Sequence, residues 1–163
     1  MVHLKRFGIL VVVLLNIGCD QISKEVVRQK VDTHDFIHVV NDYLILTRVE
    51  NTGAMLGLGQ HLPPFAKIVF LQALPILVLL FLLYRVIFHT QMYSLTVIAF
   101  AFVIGGGIGN IMDRVIRGSV TDFFQVRLGI FKTGIFNMAD VSVTLGVLMI
   151  LGMYIAKKDH KIM

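Results

Sequence analysis

Residues 65–88 read FAKIVFLQALPILVLLFLLYRVIF, a stretch that is apolar and long enough to cross a bilayer core, which takes about 20 helical residues. Three further segments lie at about 7–27, 94–112 and 138–156, and the first of them has a short apolar run that must extend through Asp20, Gln21 and Lys24 to span. Hydrophobic residues make up 56% of the 163-residue chain, charged residues only 15%, and the mean hydropathy is +0.82. A soluble domain of this length needs more polar surface. The sequence therefore predicts a mainly α, polytopic membrane protein with four transmembrane helices.

The segment between the first two apolar stretches has a different periodicity. Residues 37–40 (IHVV) and 43–49 (YLILTRV) contain period-two alternation, and Asn51-Thr-Gly53 follows as a turn signal. This pattern predicts a small surface β-sheet over about 35–60, between helices 1 and 2. Because we find no internal repeat or low-complexity tract, we expect residues 1–163 to form a single integral membrane domain.

The distribution of Lys and Arg predicts the orientation. Four spans place both termini on one side, and positive residues are denser there than on the other side, which favours cytoplasmic termini. The sheet would then be extracytoplasmic. The net charge of +5 does not indicate nucleic acid, since the basic residues form no aromatic-interleaved face. The positive residues on the terminal side are Lys5, Arg6, Arg85, Lys157, Lys158 and Lys161.

Cys19 is the single cysteine, so the chain cannot form an internal disulfide or a multi-cysteine metal site. Lys5-Arg6, an apolar run and Ile17-Gly-Cys19 resemble a cleavable signal peptide with a lipid-acceptor cysteine. However, Asn16 stands where such a signal has an aliphatic residue, and three further spans follow. We therefore expect an uncleaved first helix, in which Cys19 is a small apolar residue.

The third span carries the densest set of polar residues. Ala101, Gly105 and Gly109 recur every four residues, a small-residue stripe that lets another helix approach closely. Asn110, Asp113 and Arg114 follow at i, i+3 and i+4 and share one helix face. The simpler alternative is that Asp113 and Arg114 only pair at the interface and the glycines only pack.

Asp122 and Asp140 stand at the edges of the last apolar stretches, where a carboxylate is costly to keep charged. If the two converge, they share one proton and their pKa values separate. The ionised member can then activate water while the protonated member polarises a carbonyl, as in aspartic proteases. Asn137 and Asp140 are three residues apart and project from one side of the first turn of the last helix.

Other chemistries are less well supported by the sequence. Cys19 has no base nearby in the chain, and Ser119 and Ser142 lack an evident His partner. His34 and His38 have i, i+4 spacing and could bind zinc together with a carboxylate, although a solvated surface position explains them more simply.

Five short motifs, in order along the chain, resemble the signal peptidase II family of membrane aspartic endopeptidases, the bacterial lipoprotein signal peptidases. Each motif is weak alone, but five in the family's order among four spans are specific. The motifs are Asp20-Gln-Ile-Ser-Lys24, Asn51-Thr-Gly-Ala54, Gly105-Gly-Gly-Ile-Gly-Asn-Ile-Met-Asp-Arg114, Gly118-Ser-Val-Thr-Asp-Phe123 and Phe136-Asn-Met-Ala-Asp140.

The resemblance implies that Asp122 and Asp140 are catalytic and that the substrate is a prolipoprotein cleaved just before a diacylglyceryl-modified cysteine. It further implies a monomer in the bacterial inner membrane that contacts membrane lipid, uses no metal or other cofactor, binds no nucleic acid, and acts near the extracytoplasmic face. For Lys24 we favour a purely structural hydrogen bond. The residues implied to bind substrate or support the site are Asn51, Gly53, Asn110, Arg114, Asn137, Asp20 and Asp113.

The chain departs from the family pattern after Asn51-Thr-Gly-Ala54. Met55 and Leu56 stand where the family commonly has a second small residue and Phe, which alters the predicted substrate groove and could change inhibitor sensitivity. Residues 125–135 match no pattern that we can assign. The alternatives from other classes are a small transporter or channel with intramembrane aspartates and a metal-dependent lipid-headgroup transferase.

Overall fold

The computed structural model describes residues 2–33, 35–88 and 94–159. Within these residues, four helical segments are long and apolar enough to cross a membrane. The predicted architecture of four such helices with a small β-sheet is confirmed. The helices are α1 (Val2–Lys30), α2 (Pro64–Lys67), α3 (Leu74–Phe88), α4 (Ser94–Arg117) and α5 (Met138–Asp159), and the strands are β1 (Ile37–Val40), β2 (Leu44–Asn51), β3 (Val120–Leu128) and β4 (Phe131–Lys132).

The second span runs continuously from Pro64 to Phe88 because a π-helical segment, Ile68–Ala73, joins α2 to α3. Pro75 explains this local widening. A proline inside a helix lacks the N–H for the bond to the fourth residue before it, and its ring crowds that residue's carbonyl. Pro64 begins the span at a position where a missing N–H has no consequence.

The small-residue stripe of α4 packs as predicted. A Cβ atom added at Gly105 would lie 2.7 Å from the Cβ of Asn16 in α1, so a larger residue would push the two helices apart. Gly109 is closed in by Asp20 of α1, and Gly106 lies against the carbonyl of Ala139 in α5. The glycines therefore let α4 contact α1 and α5 closely.

The sheet draws strands from two separate parts of the chain. All neighbours are antiparallel in the order β1-β2-β3-β4. The sequence predicted strands only within 35–60, whereas β3 and β4 come from the segment between α4 and α5. The first four residues of β3 are all buried, so that strand shows no period-two alternation at its start.

A small apolar core joins the sheet to the bundle. Val27 and Val31, at and just beyond the end of α1, pack with the buried ring of Phe123 in β3. α1 ends at Lys30 and α4 at Arg117, three and five residues past the predicted limits of their spans. These extensions place the polar ends of both helices beside β3.

Candidate active site

Asp122 and Asp140 are brought together from two different elements. Asp122 lies in β3 and is only 5% exposed, and Asp140 lies in the first turn of α5. One side chain, Asn137, contacts both residues. Its Nδ2 donates to Asp122 Oδ1 at 2.6 Å, and its Oδ1 accepts a hydrogen bond from the backbone N–H of Asp140 at 3.0 Å. The Asn137 amide therefore bridges the Asp122 carboxylate and the backbone of Asp140.

The sequence around Asn137 explains why Asp140 is held firmly. Asn137 immediately precedes α5, and the backbone N–H of Asn137 donates in return to Asp140 Oδ2 at 3.1 Å. This reciprocal pair is a capping box, which satisfies two free N–H groups at the start of a helix. The helix dipole also favours a carboxylate at that end. Asn137, which is fully buried, thus fixes the helix end and the aspartate pair together.

Asn51, at the end of β2, holds the other side of Asp122. Its Nδ2 donates to Asp122 Oδ2 at 3.0 Å, and its Oδ1 accepts from the N–H of Gly53 at 2.9 Å. Gly53 has no room for a side chain, since an added Cβ would lie 2.6 Å from the carbonyl oxygen of Leu58. Arg114 Nη2 donates to the Gly53 carbonyl at 2.8 Å. Asn51 therefore contacts Asp122 directly, and the other two residues shape the turn that carries it.

Asn110 connects the aspartate pair to α1. Its Nδ2 donates to Asp140 Oδ1 at 2.9 Å, while its Oδ1 accepts from Lys24 Nζ at 2.9 Å and from Asn137 Nδ2 at 3.2 Å. Every hydrogen-bonding atom of this side-chain amide is used. Its orientation is consequently fixed by three neighbours.

Asp20 and Asp113 belong to a second cluster, in which two carboxylates contact two cations. Lys24, which is fully buried, lies 2.7 Å from Asp20 Oδ2 and 3.0 Å from Asp113 Oδ2. Arg28 Nη2 lies 2.9 Å from Asp113 Oδ1. Asp20 Oδ1 also accepts the backbone N–H of Ala139 at 2.9 Å. We call Asp20, Lys24, Arg28 and Asp113 the ion network; it joins α1, α4 and α5.

The sequence analysis missed Arg28. Its Nε donates to Thr121 Oγ1 at 2.8 Å, and Thr121 directly precedes Asp122 in β3. The available signal was spacing: Asp20, Lys24 and Arg28 recur every four residues and share one face of α1. That face marks the side of α1 that packs on α4 and β3.

The environment of Asp122 changes its proton affinity. Burial raises the pKa of Asp122 to about 6 because a desolvated carboxylate is disfavoured. Hydrogen bonds from Asn51 and Asn137 oppose the rise, since both stabilise the ionised form, and the neighbouring Asp140 carboxylate adds to it. Asp122 can therefore hold a proton at mildly acidic pH, where an exposed aspartate is ionised.

Asp122 also lines a groove of about 520 Å³. The groove runs between the sheet, a 3₁₀ turn (Met55–Gly57) and the chain that follows β4. The predicted site thus includes part of the segment 125–135, which no sequence pattern had assigned. The lining residues are Val49, Glu50, Asn51, Leu56, Gly57, Gln60, Asp122, Gln125, Lys132, Thr133, Gly134 and Ile135.

Leu56, one of the two departures from the family pattern, is one of the residues that line this groove. Its side chain contacts Gly134, where an added Cβ would collide with it. Leu56 adopts a φ of 59°, in the left-handed region that is unfavourable for a leucine. Met55 beside it is 75% exposed. The shape of the groove therefore depends on a strained and largely exposed turn.

The remaining sequence candidates lie elsewhere. His34 is outside the described residues, and His38 pairs with the exposed Asp42 at 2.9 Å near the β1–β2 turn. Among the residues that the structure describes, no group of three or more His, Cys, Asp or Glu is arranged to hold a metal ion. The zinc alternative finds no ligand set there. Cys19 is exposed on α1.

Four helices apolar enough to span a membrane and a small antiparallel sheet define a polytopic membrane protein. The chain belongs to the signal peptidase II family: the family model described as signal peptidase (SPase) II matches residues 12–156. This is an aspartic peptidase family, so the predictions of the family and of an enzyme are confirmed. The transporter and channel alternatives are not supported.

The similarity to individual proteins covers most of the chain. It is 31% identical over 150 residues to a lipoprotein signal peptidase of Listeria monocytogenes, covering 92% of this chain and 94% of the relative. A lipoprotein signal peptidase of Staphylococcus aureus is 31% identical over 132 residues, covering 81% of this chain and 78% of the relative. A solved structure of a bacterial membrane enzyme superposes with a TM-score of 0.84 at 27% identity, covering 94% of this chain and 91% of that one.

Proposed function

We propose that this protein removes the signal peptide from prolipoproteins by hydrolysing the peptide bond just before a diacylglyceryl-modified cysteine, with Asp122 and Asp140 as the catalytic pair. The relatives of this chain are named lipoprotein signal peptidases, which supports the substrate class. The observation that carries the assignment of the pair is the shared contact with Asn137, beside the groove that Asp122 lines.

The chemistry needs one proton on the pair. The ionised aspartate takes a proton from a water molecule as the water attacks the scissile carbonyl, and the protonated aspartate donates to the carbonyl oxygen. The proton gained by the first aspartate then goes to the leaving amine. The raised pKa of Asp122 supports Asp122 as the residue that holds the proton at the start of the cycle.

Three asparagines orient the pair without changing its charge. Asn51 and Asn137 each donate to one oxygen of Asp122, and Asn110 donates to Asp140. Neutral donors fix the direction of a carboxylate, whereas a cation in contact would lower its pKa strongly and remove the shared proton. We assign Asn51, Asn110 and Asn137 as positioning residues.

The groove suits an extended peptide that approaches from the membrane. The backbone of β2 and β3 forms one wall, and the turn with Leu56 forms another. The lipid tails would remain in the bilayer beside the helices while the peptide enters the groove. On this proposal the sheet and the aspartate pair lie at the extracytoplasmic face, and the chain termini are cytoplasmic.

The test is cleavage of a lipidated precursor peptide by purified protein in nanodiscs. Asp122→Asn and Asp140→Asn should each reduce the rate at least about 100-fold, the contribution of a positioned acid or base. Asp32→Asn removes an exposed carboxylate and should cleave like wild type. A circular dichroism spectrum and a thermal unfolding midpoint close to wild type would show that the inactive variants fold. Retained cleavage in either variant would remove that residue from the pair.

A further inference from the structure

The end of the β-sheet formed by the start of β2 and the end of β3 is the end opposite to the one where β3 follows α4. Leu44 at the start of β2 pairs with Val126 near the end of β3, and the carbonyl of Tyr43 accepts the N–H of Arg127 at 2.8 Å. The β1–β2 turn and the β3–β4 turn therefore lie side by side. We call this end, residues 39–43 and 127–132, the free end of the sheet.

The free end is apolar and exposed. Ile130 is 93% exposed and Phe131 74%, which exceeds Leu77 at 63% on the membrane-spanning α3. Val39, Val40, Tyr43 and Leu128 are also exposed. The opposite end of the same strands carries hydrogen-bonded polar groups, with Ser119 and Thr121 both donating to Glu50. Contiguous exposed apolar side chains of this kind mark a contact with another apolar phase.

Two cations stand directly behind this apolar tip. Arg127 and Lys132 face each other in the register of β3 and β4, one position before Leu128 and Phe131 pair. One acidic residue, the exposed Asp42, also lies at the free end, with its Oδ1 2.9 Å from His38 Nδ1. Long basic side chains can bury their stems beside apolar groups and place their charges at lipid headgroups. An apolar tip with a cationic collar fits an anionic bilayer surface.

We propose that the β3–β4 hairpin tip, Leu128–Phe131, inserts into the interfacial layer of the bilayer leaflet, with Arg127 and Lys132 at the headgroups. The four spans keep the sheet next to this leaflet, so the membrane is the apolar phase within reach. Lys132 also lines the groove, which places the inserted tip next to the groove wall. The proposal concerns the membrane contact alone and does not depend on the catalytic assignment.

The absence of tryptophan from the chain makes a direct test possible. Ile130→Trp introduces a single tryptophan at the tip, which is excited selectively over tyrosine, and the variant is reconstituted in nanodiscs made with brominated acyl chains. We expect quenching by bromine and protection from aqueous acrylamide relative to N-acetyltryptophanamide in the same buffer. Phe81→Trp on α3 is the reference for a lipid-facing position, and a circular dichroism spectrum and a thermal unfolding midpoint close to wild type show that each variant is folded.

The remaining outcomes would show that the tip contacts water or protein instead of lipid. A fluorophore at residue 130 that bromine does not quench and acrylamide reaches freely would show a tip in water and overturn the proposal. Protection from both quenchers would show that protein covers the tip, either a second copy or another partner, and would overturn it as well. Should Ile130→Trp fail to fold, Phe131→Trp supplies the same measurement from the neighbouring position.

The cationic collar is tested separately. Lys132→Gln in the Ile130→Trp background should reduce bromine quenching in anionic nanodiscs and leave it nearly unchanged in zwitterionic ones. Lys157→Gln, near the opposite end of α5, is the matched control and should change neither value. An equal effect of Lys132→Gln in both lipids would overturn the role of the headgroup charge.

Discussion

Two groups of carboxylates meet at Asn110 in this protein, and their partners differ. Asp20 and Asp113, in the ion network, contact cations at 2.7–3.0 Å. In the hydrogen bonds of the described residues, Asp122 and Asp140 accept from asparagines and backbone N–H groups but not from Lys or Arg. Cations hold a carboxylate in its ionised form, whereas neutral amides orient it and leave its proton available.

On the proposed function, this difference assigns stability to the ion network and catalysis to the aspartate pair. The ion network joins three helices through charged and hydrogen-bonded contacts. Asp122 lies on β3 and lines the groove, and Asp140 lies at the start of α5. Asn110 is the contact between them, since it accepts from Lys24 and donates to Asp140. Substitutions in the ion network should therefore mainly lower the free energy of unfolding, and substitutions around the aspartate pair should mainly lower the cleavage rate.

The largest effect is expected from Lys24→Met. The substitution leaves Asp20 buried without a cation, and breaking a buried pair in this way costs about 3–5 kcal/mol of unfolding free energy. Reversible unfolding in mixed micelles measures the loss. Lys30→Met changes an exposed lysine at the end of the same helix and should stay within about 0.5 kcal/mol of wild type.

A double variant separates the uncompensated charge from lost packing. Asp20→Asn together with Lys24→Met removes the charge that Lys24→Met leaves behind, and Asn can still accept the N–H of Ala139. This variant should recover part of the stability. A Lys24→Met protein as stable as wild type would mean that the ion network does not hold the helices together.

The sequence predicted the helices and most members of both carboxylate groups, but not every contact between them. The four helices follow from long apolar runs, and the Asn137–Asp140 spacing indicated a shared helix face before the capping box was seen. Arg28 was missed because its partners, Asp113 and Thr121, lie far along the chain and only tertiary packing brings them near.

The groove could not be predicted for a similar reason. One of its walls comes from β4 and the chain after it, where a strand of two residues is too short to show any periodicity. The strained φ of Leu56 likewise has no sequence signal, since leucine rarely adopts it. Local patterns therefore singled out Asp122 and Asp140, which the structure links through Asn137, while the groove depends on contacts between distant segments.

A smaller effect is expected from changing Asn137, which serves both the helix end and the aspartate pair. Asn137→Ser keeps a side chain that can cap α5 but removes the amide that donates to Asp122, whereas Asn137→Ala removes both. Both variants should lose about 1–3 kcal/mol of transition-state stabilisation, roughly a 5- to 150-fold lower rate. Only Asn137→Ala should also lose stability, by about 0.5–2 kcal/mol.

Cleavage rates and unfolding free energies of the two Asn137 variants are compared with wild type. Full activity in Asn137→Ser would show that capping, rather than orientation of Asp122, is the contribution of this residue. Equal stability of the two variants would instead show that the capping box does not matter for the fold.

The subtlest effect is a change in pH dependence on Asn51→Ala. Burial raises the pKa of Asp122 to about 6, and the hydrogen bond from Asn51 limits the rise because it stabilises the ionised form. Without that bond the pKa rises further, so the shared proton is kept to higher pH. The alkaline limb of the rate profile should therefore move to higher pH. A limb that stays in place, or moves to lower pH, would show that Asp122 does not carry the proton whose loss ends activity, and would assign that proton to Asp140.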